Sequence, residues 1–166
     1  MSGANDAATE ITTHRGFEEK WNWLQAIIQG LIGLAIAAGL AGMFGDGPLA
    51  HARQPVPGTP LVLRYERFMR AGAPARLTVV LTQPLAQDQV EVGLDADFLE
   101  HVSVDATQPR AEAVDATPAG VTYRFRLGPE RQGGIAFMLS PRGYGSVDAV
   151  VSSLGGRATL HLLIYP

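Results

Sequence analysis

Residues 24–44 read LQAIIQGLIGLAIAAGLAGMF, an apolar run without a single charge. At a helical rise of 1.5 Å per residue such a run reaches about 30 Å, the thickness of a bilayer's hydrocarbon core. Trp21 and Trp23 stand just before it, where indole rings favour the headgroup level, and Lys20 is placed to snorkel from outside. One transmembrane helix over 24–44 is therefore expected. Two other readings compete with it, a buried helix of a soluble protein and a cleaved secretory signal, since Ala50-His51-Ala52 has the A-x-A form of a cleavage site. The run exceeds the 7 to 15 residues usual for a signal's apolar region, and a polar stretch precedes it, so a retained anchor is favoured. Arg15 and Lys20 lie close before the span and Arg53 after it. By the positive-inside rule this leaves residues 1–23 as a cytoplasmic tail. The remainder is then expected in the periplasm of a bacterium, carried by a single-pass protein of the inner membrane.

The chain has no cysteine, which excludes disulfides, thiolate metal sites and thiol nucleophiles. Its formal net charge is -3 with both signs interspersed. No basic field of the kind that neutralises nucleic-acid phosphates is present, so no nucleic-acid partner is expected. Residues 45–60, GDGPLAHARQPVPGTP, carry Pro48, Pro55, Pro57 and Pro60 and read as an extended linker. At about 3.1 Å per residue it would tether the carboxyl-terminal part of the chain within roughly 45 Å of the bilayer.

From Leu61 the apolar period becomes two. Leu61, Leu63 and Tyr65 alternate with polar residues, as do Leu77, Val79 and Leu81, then Val90, Val92 and Leu94. The pattern returns at Val121, Tyr123, Phe125 and Leu127, at Ile135, Phe137 and Leu139, at Val147, Ala149 and Val151, and at Leu160, Leu162 and Ile164. Strands with one buried face each and no long helix between them predict an all-β fold. The expectation is an immunoglobulin-like β-sandwich of about seven strands over residues 61–166, preceded by one transmembrane helix. Residues 105–120, DATQPRAEAVDATPAG, are weakly apolar and read as a long loop.

The ending SPRGYGSVDAVVSSLGGRATLHLLIYP resembles the last hairpin of bacterial immunoglobulin-like modules, and it places Tyr144 near a tyrosine-corner position. The segments FEEKWNWLQ and RYERFMR resemble uncharacterised single-span membrane proteins of proteobacteria that accompany larger membrane proteins of the YetF type. That resemblance implies a membrane partner and supplies no catalytic residue.

Asp95, Asp97, Glu100 and His101 form the densest polar group. The glycine and regular ligand spacing of a calcium loop are missing, and a capping box with Asp97 as the cap and Glu100 three residues on accounts for the pattern better. His14, His51, His101 and His161 are scattered without an H-x-x-x-H pair, so no metal site is proposed. His161 is read with Thr159 and Tyr165 on the polar face of the last strand. No G-x-S-x-G elbow or G-x-G-x-x-G turn is present. No catalytic residue and no cofactor is therefore assigned. Arg64, Arg67 and Arg70, with Arg76 soon after, mark a possible surface contact with anionic headgroups or an acidic partner. A solvated edge strand protected by charge is the plainer reading.

At 100° per residue, Ala26, Gly30, Gly33, Ala37 and Ala41 share one helix stripe about 80° wide, with Gln29 at its edge. Small residues let helices approach closely, so this stripe is the expected docking face. Ile32, Ile36, Leu40 and Met43 form a bulkier face toward lipid. The reading that results is a non-enzymatic accessory subunit, bound to lipid and to a larger membrane protein or a second copy of itself. A sensory or ligand-binding module is the alternative.

Overall fold

The computed structural model describes residues 15–40 and 50–166, with side chains from Trp21 onward. Two units make up the chain, an amino-terminal helix and a β domain.

The helix, α1, runs from Arg15 to Leu40. Within it Trp21–Leu40, 20 residues, is long and apolar enough to cross a membrane, and none of that stretch is buried. Leu31, Leu34 and Leu40 are 60%, 67% and 80% exposed. Apolar side chains left open along a whole helix belong in lipid or against another protein, because water around them is unfavourable by about 25 cal/mol per Å². Residues 41–44 of the expected span lie outside the described residues.

The β domain is built from eleven strands: β1 (His51–Val56), β2 (Leu61–Glu66), β3 (Phe68–Arg70), β4 (Ala75–Leu81), β5 (Gln89–Asp95), β6 (Val102–Gln108), β7 (Ala113–Thr117), β8 (Gly120–Arg126), β9 (Gly133–Pro141), β10 (Gly145–Ser153) and β11 (Gly156–Tyr165). One short helix, α2 (Ala96–His101), lies between β5 and β6. The strands form a five-stranded sheet in the order β1-β2-β4-β9-β6 and a six-stranded sheet in the order β3-β11-β10-β5-β8-β7. The two inner faces share one core in a sandwich-like arrangement.

That core is what the alternating pattern dictates. Leu63, Val79, Phe137 and Leu139 from the first sheet are fully buried, as are Val92, Phe125, Ala149 and Leu160 from the second. Phe137 meets Phe125 edge to face at 5.7 Å and Tyr123 at 5.3 Å, the geometry that aromatic quadrupoles favour. Phe98 on α2 is fully buried too and pins that helix onto the domain. All seven expected strands are present, as β2, β4, β5, β8, β9, β10 and β11.

Several expectations are corrected. Residues 45–60 are no simple leash, because β1 occupies His51–Val56 and pairs antiparallel with β2. Pro55 is tolerated there because β1 is an edge strand, whose missing N–H faces away from the ladder. The loop expected over 105–120 holds the end of β6 and all of β7, which pairs with β8 from Ala113↔Arg124 to Thr117↔Gly120. The cap of α2 is Asp95 and not Asp97, and Asp95 makes no side-chain cap bond. Its Oδ1 instead accepts the backbone N–H of Val150 on β10 at 2.9 Å. Tyr144 is 69% exposed, which excludes the buried hydroxyl of a tyrosine corner.

Candidate functional site

The outer face of the first sheet carries a cluster of positive charge that forms no ion pair among the described residues. On β1, β2 and β4 the inward positions are Ala52, Leu63, Tyr65 and Leu77, all buried. The period of two then turns Arg53, Arg64 and Arg76 outward. Ladder register places Arg53 directly opposite Arg64, and Arg64 opposite Thr78. Arg76 lies two residues before Thr78 on the same strand and so on the same face. The three arginines line one groove of about 740 Å³, together with His51, Glu66 and Met138.

Among the described residues, none of the three guanidinium groups makes an ion pair or a side-chain hydrogen bond. The outer face of the second sheet is handled differently. There Arg124 Nε donates to Glu91 Oε1 at 2.9 Å and Arg124 Nη2 lies 3.6 Å from Asp115 Oδ2. Arg126 Nε is 2.8 Å from Glu112 Oε1. The hydrogen bond and charge of Glu91 raise the Arg124 pKa further above its ordinary range. Like charges placed opposite each other on a ladder are destabilising, and Arg53 with Arg64 is such a pair.

Charge is also segregated along the domain. Residues 50–76 hold five arginines against one carboxylate, Glu66, whereas residues 77–166 hold six arginines against ten carboxylates. The domain as a whole is neutral by this count. Its first quarter is strongly basic.

The expected trio of Arg64, Arg67 and Arg70 is spread over the two sheets and the bend between them. The chain leaves the first sheet after Glu66 and joins the second at Phe68. Arg67 sits on the bend, where its N–H donates to the Ala50 carbonyl at 2.7 Å and its carbonyl accepts from Leu163 N–H at 2.7 Å. Arg70, at the end of β3, lines a smaller adjoining groove of about 210 Å³ with Phe68 and Tyr165. Arg53 was hidden in the sequence by its prolines, which make β1 look like linker. The signal that marks it is Ala52 and Val56, two small apolar residues four apart on either side of Arg53 and Gln54.

On α1, Ala26, Gln29, Gly30, Gly33 and Ala37 are exposed, and Ala41 lies outside the described residues. Among the described residues, nothing stands within 4 Å of where a Cβ on Gly30 or Gly33 would lie. Asp97 and Glu100 point to solvent, and His101 Nδ1 is 3.0 Å from the carbonyl of Asp97. His161 Nδ1 meets Asp148 Oδ1 at 2.7 Å on the exposed face of β10 and β11. His14 lies outside the described residues. A polar cluster that the sequence did not reveal is Asp105, which accepts from Ser103 Oγ at 3.2 Å and from Ser140 Oγ, tying β6 to β9.

No protein family matches the chain, and no curated protein matches it. It is similar to the crystal structure of domains 4 and 5 of the S-layer protein SbsC, with 13% sequence identity and a TM-score of 0.36. The match covers 70% of this chain and 54% of that one, so the chain spans about half the length of that structure.

Proposed function

We propose that the chain is a single-pass, membrane-anchored interaction subunit without an activity of its own, whose β domain is held outside the cytoplasm. The observation that carries this reading is α1, a 20-residue apolar stretch with no buried residue, joined to a β domain that has its own core. Such a helix needs lipid or a second helix to cover it. A retained anchor gains further support from the A-x-A site. Ala50 and Ala52 are 3% and 5% exposed, and the Ala50 carbonyl accepts the Arg67 N–H. Cleavage after Ala52 would remove part of the domain's own edge strand.

The proposed contact within the membrane is the stripe of Ala26, Gly30, Gly33, Ala37 and Ala41, with Gln29 beside it. The occupant is a larger membrane protein, for which the resemblance to companions of YetF-type proteins supplies a candidate, or a second copy of the chain. An interhelical bond from Gln29 would contribute about 0.6 to 2 kcal/mol. The test compares two double variants purified in mild detergent from native membranes. Gly30→Leu with Gly33→Leu is expected to lose the co-purifying membrane protein, or to dissociate the dimer, while Ile32→Leu with Ile36→Leu retains it. Equal retention by both variants contradicts the docking face and leaves α1 as a plain anchor.

A further inference from the structure

We infer that the groove of Arg53, Arg64 and Arg76 is a binding site for a phosphate-bearing group. Three features converge on it. The arginines sit on three consecutive strands of one sheet, so their backbone positions are fixed by ladders and not by a loop. They lie on one face of the sheet and line one concavity. None is neutralised by a described carboxylate, although the same domain pairs Arg124 and Arg126 on its other sheet. The choice of arginine over lysine carries no weight, because Lys20 is the chain's one lysine. The placement carries the argument.

The chemistry of the occupant is set by charge and shape. Among the described residues, three guanidinium groups and Glu66 leave a formal excess of two positive charges in the groove. A phosphomonoester carries about -1.5 to -2 at neutral pH, and a phosphodiester carries a single negative charge and two free oxygens. A guanidinium fork binds phosphate oxygens in pairs. A single carboxylate or a single phosphodiester has one charge and two free oxygens and would engage one fork, so matching three cations takes a phosphomonoester or several lipid phosphates presented side by side by a membrane surface. An acidic protein surface would have to present several carboxylates into the groove at once. Headgroup phosphates of an anionic lipid surface and a free phosphate or soluble phosphomonoester share the required chemistry.

The site is independent of which protein, if any, docks on α1. Phenylglyoxal, which modifies accessible arginines, followed by peptide mass spectrometry reads each guanidinium separately. The full chain is placed in nanodiscs of phosphatidylcholine alone, in nanodiscs containing phosphatidylglycerol, and in the first kind with inorganic phosphate added. Sodium chloride at equal ionic strength is the control. Modification of Arg53, Arg64 and Arg76 is expected to slow roughly tenfold once phosphate exceeds its Kd tenfold, with Arg110, Arg142 and Arg157 unchanged. Protection in the phosphatidylglycerol discs assigns the source as lipid, and protection by added phosphate alone assigns a soluble ligand. Arg64→Gln, at an exposed position that leaves the core intact, is expected to abolish the protection of Arg53 and Arg76. Uniform slowing of all six arginines, protection by chloride, no protection under either condition, or undiminished protection of Arg53 and Arg76 in Arg64→Gln overturns the inference.

Discussion

Gly120 shows how one residue fixes the geometry of a segment that looked featureless. It holds φ at +142°, and a Cβ there would lie 2.1 Å from the carbonyl oxygen of Leu94 on β5. That oxygen belongs to backbone held in the β5–β8 ladder, where Asp95 pairs with Gly120, so it cannot move aside. Gly120→Ala is therefore expected to cost at least about 1–3 kcal/mol, the range for a residue forced into an unfavourable backbone region. Chemical denaturation of the domain measures it, and a change below about 0.5 kcal/mol, the usual limit for an inert surface substitution, would contradict the assigned turn. Residue chemistry also explains what could be read of the site. Arg64 stood out because Leu63 and Tyr65 flank it as buried residues of a clear strand. Arg53 did not, because its strand offers only Ala52 and Val56 to the core.

Among the elements, the strands legible in the sequence and those not legible divide along one physical line. Every missed strand is a sheet edge: β1 and β6 close the first sheet, β3 and β7 the second. Interior strands need an apolar face on the core and show it as strict alternation. An edge strand has ladder partners on one side only, and a shorter or more polar sequence suffices, which also guards the edge against pairing with other chains. β7 makes the point, with Ala113 half-buried and its other four residues exposed. It is held by the ladder to β8 and by the Asp115–Arg124 contact, neither of which has a period in sequence. β3, with three residues, is too short for any pattern.

This division gives a direct test of β1. A fragment of residues 50–166 is expected to be soluble and monomeric with a β-type circular dichroism spectrum. A fragment of residues 61–166 loses β1, uncovers the ladder groups of β2 and removes the buried Val56, a side chain worth about 1.5–3 kcal/mol by itself. It is expected to aggregate or to unfold at a markedly lower temperature. Equal stability of the two fragments would mean that β1 is dispensable and that residues 45–60 act as a leash after all.

In the proposed function the whole molecule has two solvents, lipid for α1 and water for the β domain. The sequence displayed both parts plainly, since an uncharged run of bilayer length and a period of two are strong signals. It could not display the basic groove, which exists only when β1, β2 and β4 are laid side by side. The central claim is that a full-length chain stays in the membrane with its β domain on the far side. Because the chain has no cysteine, a single one reports without background. Ser146→Cys on exposed β10 serves, as the flanking Val147 and not Ser146 points into the core. Spheroplasts carrying this variant are treated with a membrane-impermeant maleimide, their membranes are washed at alkaline pH, and the intact mass of the retained protein is measured. The predicted result is the mass of the whole chain plus one label. An unlabelled chain, or a mass beginning near Arg53, would contradict the account.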